Sequence, residues 1–300
     1  MLHNLTCETS FYGFNPTLEP VLRVADGDEV TIETLDCFGG QLKTTADTLD
    51  ELDWSITNPA TGPIYIEGAQ PGDLLKVELL EVVATGNSVM VTIPGDGDIG
   101  EHLHTPETAI LPNTPKGVNF KDKVLIPQDP MIGVIGVAPK EGTIPNSTPD
   151  YHGGNMDCKL VTSGSTLYFT VNVEGALFGC GDMHAVMGDG EVLICGAETP
   201  GTVRVRLSVV KQPNLPTPFL ENDALVATIA SAETCDEAQK MAAGNMMAFL
   251  TETAGLSAND AGMLMSLVGD LKFCQVVDPN KTVRFEFPKW VLREMGYTSV

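Results

Sequence analysis

Acidic residues, histidine and glycine are most densely clustered in residues 179–191, which read GCGDMHAVMGDGE. On an extended chain side chains alternate between faces, so Asp182 and His184 point to one face, and Asp189 and Glu191 do the same. Glycines permit the tight turns that leave room above these side chains. Because carboxylates and imidazoles that converge in this way bind divalent metals, the segment predicts a metal site. The alternative is a Gly/Asp-rich hairpin turn with a surface histidine.

A second segment, HGGNMD at residues 152–157, carries His152 and a pair of glycines. Asn155 and Asp157 share a face if the chain is extended, and the glycines allow a ligand to approach the backbone closely. The alternative is a turn flanked by proline.

Two other segments join acidic residues to flexible backbone or to histidine. Residues 36–41, DCFGGQ, place Asp36 at the end of a strand, where the alternative is a plain strand terminus. Residues 96–104 contain three acids and two histidines, and His102 and His104 could reach a metal from one strand face. An EF-hand is disfavoured because no glutamate completes the calcium loop, and an exposed acidic loop is the alternative.

Motifs of several other enzyme classes are missing from the sequence. It has no GxSxG nucleophile elbow, no HExxH zinc motif, no GxxxxGK phosphate loop and no GxGxxG turn in a βαβ unit. A cysteine nucleophile, Cys37 or Cys180 beside a histidine, stays open.

Composition narrows the choice of partners. The 300 residues carry 40 acidic and 17 basic side chains, a formal charge of −23, and 43% are hydrophobic. This composition is globular, and the acidic excess disfavours nucleic acid and anionic membranes, which attract Lys and Arg. No apolar run is long enough to cross a bilayer, and residues 1–14 lack the basic start and apolar run of a secretory signal.

The seven cysteines include no CxxC pair. An odd number fits neither a disulfide framework nor a four-cysteine zinc site. We therefore expect a reducing compartment and a cytoplasmic protein.

The elements that must position these side chains are mostly strands. Up to about residue 215, β-branched runs such as residues 203–210 alternate between apolar and polar side chains and are separated by Gly, Pro and Asp turns. This pattern predicts a β-rich catalytic region over residues 1–215, built from one or two packed β-sandwich or barrel units. Residues 94–130, rich in Pro, Gly, Asp and His, are predicted to be a long functional loop.

After the proline-rich segment 211–220 the pattern becomes helical. Thr234 and Glu237 form a capping box for one helix, and a second helix begins at Ser257. Residues 216–300 are thus predicted to be a smaller α/β portion packed on the first region. The expected fold is mainly β, and α+β overall.

Together, these segments resemble the acetamidase/formamidase family of metal-dependent amide hydrolases. The matching stretches, in the family's order, are DCFGGQ (36–41), TGPIYIEGAQPGDLLKVELL (61–80), HGGNMD (152–157), GALFGCGDMHAVMGDGEV (175–192) and SLVGDLKFCQVVDP (266–279). The long insertions of some formamidases are missing, and Ala69-Gln70-Pro71 replaces the commoner Ala-Glu-Pro. The resemblance implies a mostly β fold with a smaller α/β part, and hydrolysis of a short-chain aliphatic amide to a carboxylate and ammonia.

For such a hydrolase the residue types predict a divalent cation, with zinc as the first choice and calcium as the alternative. A bound cation would polarise the amide carbonyl and lower the pKa of a water. The predicted metal ligands are Asp36, His102, Asp157, Asp182 and His184.

The remaining candidates receive catalytic roles. Glu191, chosen over Asp189, would be the general base that passes a proton to the departing nitrogen. Asn155 would stabilise the oxyanion, and His152 would orient a ligand or bind metal itself.

Two other functions stay open at this point. One is a non-enzymatic β module that binds calcium or carbohydrate through acidic loops. The other is the same fold acting on a larger or cyclic amide. The expected partners are a small amide substrate and a second copy of the chain, because twofold homodimers are the commonest assemblies.

Overall fold

The computed structural model describes residues 1–211 and 214–297 and is built mainly from strands. Part of the proline-rich segment 211–220 and the last three residues of the predicted C-terminal portion lie outside the described residues. The earlier strands are β1 Leu2–Leu5, β2 Ser10–Phe11, β3 Gly13–Phe14, β4 Leu22–Val24, β5 Glu29–Thr34, β6 Ala60–Ile66, β7 Leu74–Ala84, β8 Ser88–Thr92, β9 Glu107–Leu111, β10 Asn113–Thr114, β11 Gly117–Phe120 and β12 Val124–Ile126. The later strands are β13 Met131–Gly136, β14 Ile144–Pro145, β15 Gly153–Asn155, β16 Thr166–Thr170, β17 Phe178–His184, β18 Glu198–Thr199, β19 Gly201–Val210, β20 Phe219–Glu221, β21 Leu225–Ala232, β22 Asp270–Gln275 and β23 Lys281–Pro288.

Helical elements are concentrated near the end of the described chain. The α-helices are α1 Cys235–Ala248, α2 Ala258–Val268 and α3 Lys289–Glu294. The short 3₁₀ and π segments are Cys7–Thr9, Leu49–Glu51, Trp54–Ile56, Gly100–His102 and Phe249–Thr253. As predicted, the Thr234 side chain accepts the Glu237 N–H, and the Ser257 side chain caps the second helix.

Nine strands form one sheet, here called the long sheet, in the order β1-β5-β19-β7-β16-β20-β21-β23-β22. Its strand β19 alternates buried and partly exposed residues, which confirms the period of two expected for residues 203–210. A second sheet, here called the site sheet, has the order β15-β13-β17-β18-β8-β9, with β6 also paired to β17. One hydrophobic core contains residues of both sheets, for example Val205 of the long sheet and Ile135 of the site sheet. The fold class predicted from the sequence is therefore confirmed.

Strand β17 lies at the centre of the site sheet, and all seven of its residues are buried. Its glycines are needed because neighbouring chain segments approach very closely. A Cβ atom on Gly179 would lie 2.6 Å from the Phe11 ring, and one on Gly181 would lie 2.0 Å from the Pro59 carbonyl oxygen. The glycine-rich sequence of this segment thus serves the packing of β17 as well as any chemistry.

The structure bears on two predictions about the organisation of the chain, the long loop at residues 94–130 and the boundary at residue 215. Residues 94–130 are not one loop, since they contain β9 and the small sheet β10-β11-β12, whose strands pair from Val118↔Ile126 to Phe120↔Val124. The long sheet runs across residue 215, because β16 pairs with β20 through Leu167↔Leu220. The division into portions 1–215 and 216–300 stays a prediction.

None of the described helices is long and apolar enough to span a membrane.

Candidate metal and active site

Asp182 and His184 lie together in one buried cluster at the end of β17, as the sequence predicts. Nε2 of His184 lies 3.5 Å from Oδ1 of Asp182, and both side chains are about 1–2% exposed. The other carboxylate oxygen of Asp182 accepts a hydrogen bond from Nδ2 of Asn58 (3.1 Å). Asp182 is thereby held in place while one of its oxygens stays directed at the histidine.

Glu198 joins the cluster from the neighbouring strand β18, where it is the cross-strand partner of His184. Its Oε1 lies 3.0 Å from Nε2 of His184 and accepts the N–H of Gly196 at 2.8 Å. Burial alone would lower the pKa of His184, but Glu198 and Asp182 raise it well above its ordinary value. The imidazole therefore lies in a strongly negative environment.

Asn155 and Asp157 come to the cluster from another part of the site sheet. Asn155 ends strand β15, which pairs with β13, and Asp157 follows two residues later. Oδ1 of Asp157 is 3.7 Å from Nε2 of His184. Both side chains pass close to Gly133 of β13, where a Cβ atom would lie 2.4 Å from Oδ1 of Asp157 and 3.1 Å from Oδ1 of Asn155. The missing side chain at Gly133 makes the space in which these oxygens meet.

Glu191 is brought to the site by a contact between the two sheets. Gly190 donates its N–H to the Cys274 carbonyl (2.9 Å) and accepts the N–H of Val276 (3.1 Å), which ties the loop after β17 to the end of β22. The same hairpin of the long sheet carries Asp278, whose Oδ2 accepts a hydrogen bond from Nδ2 of Asn155 at 2.9 Å.

Three acids of the site have a left-handed backbone. Asp157, Asp182 and Glu191 have φ angles of 43°, 54° and 44°. Such angles are uncommon for residues with a side chain, and strained backbone tends to occur at functional sites, where the surrounding structure maintains it. The strain at three converging carboxylates therefore supports a functional role for the cluster.

The cluster contains buried polar atoms that lack a hydrogen-bond partner, although such atoms are normally paired. They are Oδ1 of Asn155, both carboxylate oxygens of Asp157, Oδ1 of Asp182, Nδ1 of His184 and Oε2 of Glu198. Ligand atoms of Asp157, His184 and Glu191 lie within 4.8 Å of one another, as do those of Cys37, Asp182 and Glu198. A divalent cation among these oxygens, with Nε2 of His184 as its imidazole ligand, would satisfy the oxygen atoms and offset the repulsion between the carboxylates, so the residues fit a metal site.

Burial and mutual repulsion change the proton affinity of the carboxylates. Burial raises the pKa of Asp157 to about 7 and that of Glu198 to about 8, and His184 partly opposes both shifts. Burial, with the charge of Asp157, also raises the pKa of Glu191 and of Asp278 well above the ordinary range. Burial alone would raise the pKa of Asp182, but the combined interactions with His184, Glu198 and Asn58 lower it overall.

Asp36 lies beside this group at the end of β5. Its Oδ1 accepts the N–H of Phe38 (2.9 Å) and of Gly40 (3.1 Å), and burial, together with the charge of Asp182, raises its pKa. Cys37, the next residue, contributes its thiol to the second ligand group. The segment that the sequence placed at a strand terminus thus reaches the cluster.

Three of the predicted site residues, Asp189, His102 and His152, belong to neither ligand group found in the described part of the chain. Asp189 forms a bidentate ion pair with Arg284 (2.6 and 2.8 Å) and also contacts Lys159, so its carboxylate is already paired. His102 is exposed in the Gly100–His102 turn and belongs to neither ligand group found among the described residues. His152 is fully buried with its ring 5.1 Å from that of Phe14, and burial lowers its pKa to about 4.

Sequence reasoning missed Glu198, Asp278 and Asn58. Glu198 follows a strand-like run without histidine or paired acids, and its role becomes visible only through its pairing with His184 across two strands. Asp278 was within a stretch that carries the family resemblance, SLVGDLKFCQVVDP, and this was the one signal that pointed to it.

Part of the cluster lines a cavity of about 340 Å³. The polar residues of the lining include Asn155, Asp182, Glu191, Glu198 and Asp278, whereas Asp157 and His184 are not among the lining residues. A small ligand in the cavity can therefore contact several carboxylates of the cluster.

Comparisons with known proteins all find similarity to acetamidases and formamidases. The model of the acetamidase/formamidase family matches residues 8–148 and 137–292. The structure is similar to that of the acetamidase from Bacillus halodurans, with 42% sequence identity, a TM-score of 0.96 and coverage of 98% of this chain and 99% of that one. A predicted acetamidase/formamidase from Thermoanaerobacter tengcongensis gives 41% identity, the same TM-score, and coverage of 100% and 99%.

Similarity to a curated enzyme is more distant. The formamidase of Methylophilus methylotrophus is 27% identical over 260 residues, which cover 66% of this chain. The match spans only 63% of that formamidase's own length.

Proposed function

The chain belongs to the acetamidase/formamidase family, and on this premise we propose that it hydrolyses the carbon–nitrogen bond of a linear amide, releasing a carboxylate and ammonia. The expected substrates include short-chain aliphatic amides such as formamide and acetamide. The observation that carries the proposal is the convergence of buried, unpaired carboxylate oxygens of Asp157 and Asp182 on Nε2 of His184. Asp182 also lines the cavity, together with Glu191.

Asp157, Asp182 and His184 would hold a divalent cation, with Asp36 as an additional oxygen ligand. Zinc is the first choice because the ligands combine imidazole nitrogen with carboxylate oxygens, whereas calcium prefers oxygen ligands alone. When bound, such a cation supplies the positive charge that polarises an amide carbonyl and lowers the pKa of a water.

Glu191 would act as the general base. It lines the cavity, is 8% exposed and has no cationic side chain as a hydrogen-bond partner among the described residues. Its carboxylate would accept the proton of the attacking water and deliver it to the departing nitrogen. Asp189, the other acid of this loop, is held by Arg284 instead.

Asn155 would contribute to oxyanion stabilisation. Its Nδ2 donates one hydrogen bond to Asp278, which fixes the orientation of the amide, and the second hydrogen of that nitrogen stays available for a substrate oxygen. A role for His152 would be indirect, because its ring packs against Phe14.

Ammonia release from formamide and acetamide, measured before and after chelation, tests this function. Activity should disappear on chelation and return with zinc, and elemental analysis should find zinc in the active protein. Glu191→Gln should leave metal bound but lower kcat by at least about a hundredfold. The matched control is Glu33→Gln on an exposed position of β5, which should leave both properties unchanged.

A non-enzymatic calcium- or carbohydrate-binding module would give a different result. It would bind calcium without releasing ammonia from any amide, and Glu191→Gln would then have no kinetic effect. Wild-type turnover by Glu191→Gln would likewise contradict the role of this residue as the base.

We also infer a cytoplasmic homodimer. The seven cysteines are all free, as expected of a reducing compartment, and a twofold dimer is the commonest assembly of enzymes. Sedimentation equilibrium of the purified protein would give the mass of two chains, and a mass of 31.9 kDa would contradict the dimer.

A further inference from the structure

The lining of the cavity at the candidate site is chemically mixed. It contains the acids Asp182, Glu191, Glu198 and Asp278. It also contains apolar and aromatic side chains, which are Phe38, Trp54, Val91, Ile93, Ile194 and Val277. A ligand that reaches the carboxylates therefore has apolar surface for its other end within the same cavity.

The cavity as a whole is larger than a formyl or acetyl group requires. Formamide and acetamide have only a few non-hydrogen atoms, while the cavity measures about 340 Å³. Pockets of roughly 300–1,000 Å³ accommodate ligands of drug size. A short amide would leave most of the apolar wall in contact with water, which is unfavourable.

Trp54 stands out on this wall because its side chain is not packed away. It is 55% exposed, although tryptophan is largely buried in most proteins. Hydrogen bonds hold the backbone on either side of it. The Trp54 carbonyl accepts the Thr57 hydroxyl (2.9 Å), and Asp53 donates its N–H to the side chain of Gln41 (2.9 Å). An exposed indole that lines a cavity and is carried by a fixed backbone is suited to contact a flat apolar group.

The charge of the cavity restricts the ligand further. Asp182, Glu191, Glu198 and Asp278 are acidic, and no Lys or Arg is found among the described residues that line it. Once the amide occupies the metal cluster, a carboxylate elsewhere in the acyl group would face these acids with no Lys or Arg of the lining to pair with it. The lining therefore favours a neutral acyl group.

We propose that this site accepts neutral primary amides with a flat, apolar acyl group, such as an arylacetamide, and that Trp54 is the residue that selects for it. The inference rests on the proposed amidase function, because it places the amide against the metal cluster. The acyl group then lies against Trp54 and Phe38, and displaces water from both rings.

Fluorescence provides a test that does not depend on turnover. The chain has two tryptophans, and Trp290 lies on α3, outside the cavity lining, so Trp290→Phe leaves Trp54 as the single indole. Titration of this variant with phenylacetamide should change its emission in a saturable way, with an apparent Kd about tenfold lower than that of acetamide. No saturable change, or equal affinities for the two amides, would overturn the inference.

Ammonia release in the same background completes the test. The ratio of kcat/KM for phenylacetamide to that for acetamide should be about ten or more, and Trp54→Leu should lower this ratio by about tenfold. A ratio below one, or a ratio that Trp54→Leu does not change, would contradict the inference while leaving the amidase function intact. Emission changes without ammonia from either amide would support the binding site and contradict the proposed function instead.

Discussion

Nε2 of His184 lies 3.0 Å from Oε1 of Glu198, and the two residues are direct partners across strands β17 and β18. The same nitrogen lies 3.5 Å from Asp182 and 3.7 Å from Asp157. One imidazole nitrogen therefore faces three carboxylates that come from separate segments of the chain. Such an arrangement is unfavourable for an isolated protein and favourable once a cation lies among the oxygens.

Glu198→Gln should weaken metal binding while leaving the fold intact. The substitution keeps the size of the side chain but removes one of the negative charges around His184. Residues that support a metal ligand typically change metal affinity by about 10–100-fold when substituted. Competition with a chelating dye would measure the affinity. Glu81→Gln, on a side chain that is 60% exposed, is the matched control and should bind metal like the wild type.

Asp157→Asn should stabilise the metal-free protein even though it weakens metal binding. Burial, together with the charge of Asp182, raises the pKa of Asp157 to about 7, so the ionised carboxylate disfavours the folded state at neutral pH and above. Without metal, the neutral amide should raise the free energy of unfolding by about 1–3 kcal/mol. Urea unfolding in excess chelator measures this difference.

The stability difference between Asp157→Asn and the wild type should also depend on pH, which tests its sign a second time. Because the folded pKa of Asp157 is raised, the destabilisation grows as pH rises above the ordinary carboxyl value and is complete above about pH 7. The advantage of Asp157→Asn should therefore shrink at about pH 5. Asp223→Asn, at an exposed loop position, should have no effect at either pH. If Asp157→Asn were less stable than the wild type in excess chelator, the ionised Asp157 carboxylate would not be destabilising the metal-free protein.

Local sequence predicted that Asp182 with His184, and Asn155 with Asp157, lie close together, and the structure brings both pairs into the cluster. The predicted reason was the alternation of an extended chain, whereas Asp157 and Asp182 have left-handed backbone angles that the sequence did not reveal. The strand-rich fold followed from the same period of two.

Residues joined by long-range pairing could not be predicted in this way. Asp189 was expected to accompany Glu191, but its partner Arg284 is 95 residues away on β23, and only the contact between the two sheets makes this pair. The strands within residues 94–130 are two to five residues long and are separated by turns, some of which contain proline, so no alternating pattern is long enough to be recognised. Three of them are stabilised by pairing with one another, and β9 pairs with β8.

Asp189→Asn should destabilise the protein. Arg284 is buried, with a side chain 1% exposed, and loses two charge-assisted hydrogen bonds while keeping the one to Glu286. The guanidinium would then be left partly unpaired, at a cost of about 2 kcal/mol in the free energy of unfolding.

This stabilisation should depend on pH. Burial alone would raise the pKa of Asp189, but Arg284 and Lys159 lower it overall. The ion pair therefore stabilises the fold at neutral pH, and the stabilisation is lost as pH falls below the ordinary carboxyl value.

Urea denaturation at about pH 7 and about pH 3 measures both parts of this prediction, because the wild type approaches the variant in stability as Asp189 becomes protonated. Glu29→Gln is the matched control. It removes ion pairs to Arg204 and Arg206, whose side chains are 40% and 39% exposed, and should cost at most about 1 kcal/mol. Equal losses in the two variants at neutral pH would show that burial of Arg284 does not matter.

Gly133→Ala should damage the metal site more than any other single methyl group. The new Cβ would lie 2.4 Å from Oδ1 of Asp157 and 3.0 Å from Oδ2 of Asp182, distances that force the carboxylates or the strand to move. Elemental analysis should show a lower metal content. Ammonia release should fall with it by at least about a hundredfold, because small displacements of catalytic groups have large kinetic effects.

Gly244→Ala in helix α1, where a Cβ meets nothing within 4 Å, provides the control. It should keep metal and activity and raise the free energy of unfolding by about 0.5–1 kcal/mol. Full metal content in Gly133→Ala would mean that the space beside this glycine is not where the ligands converge.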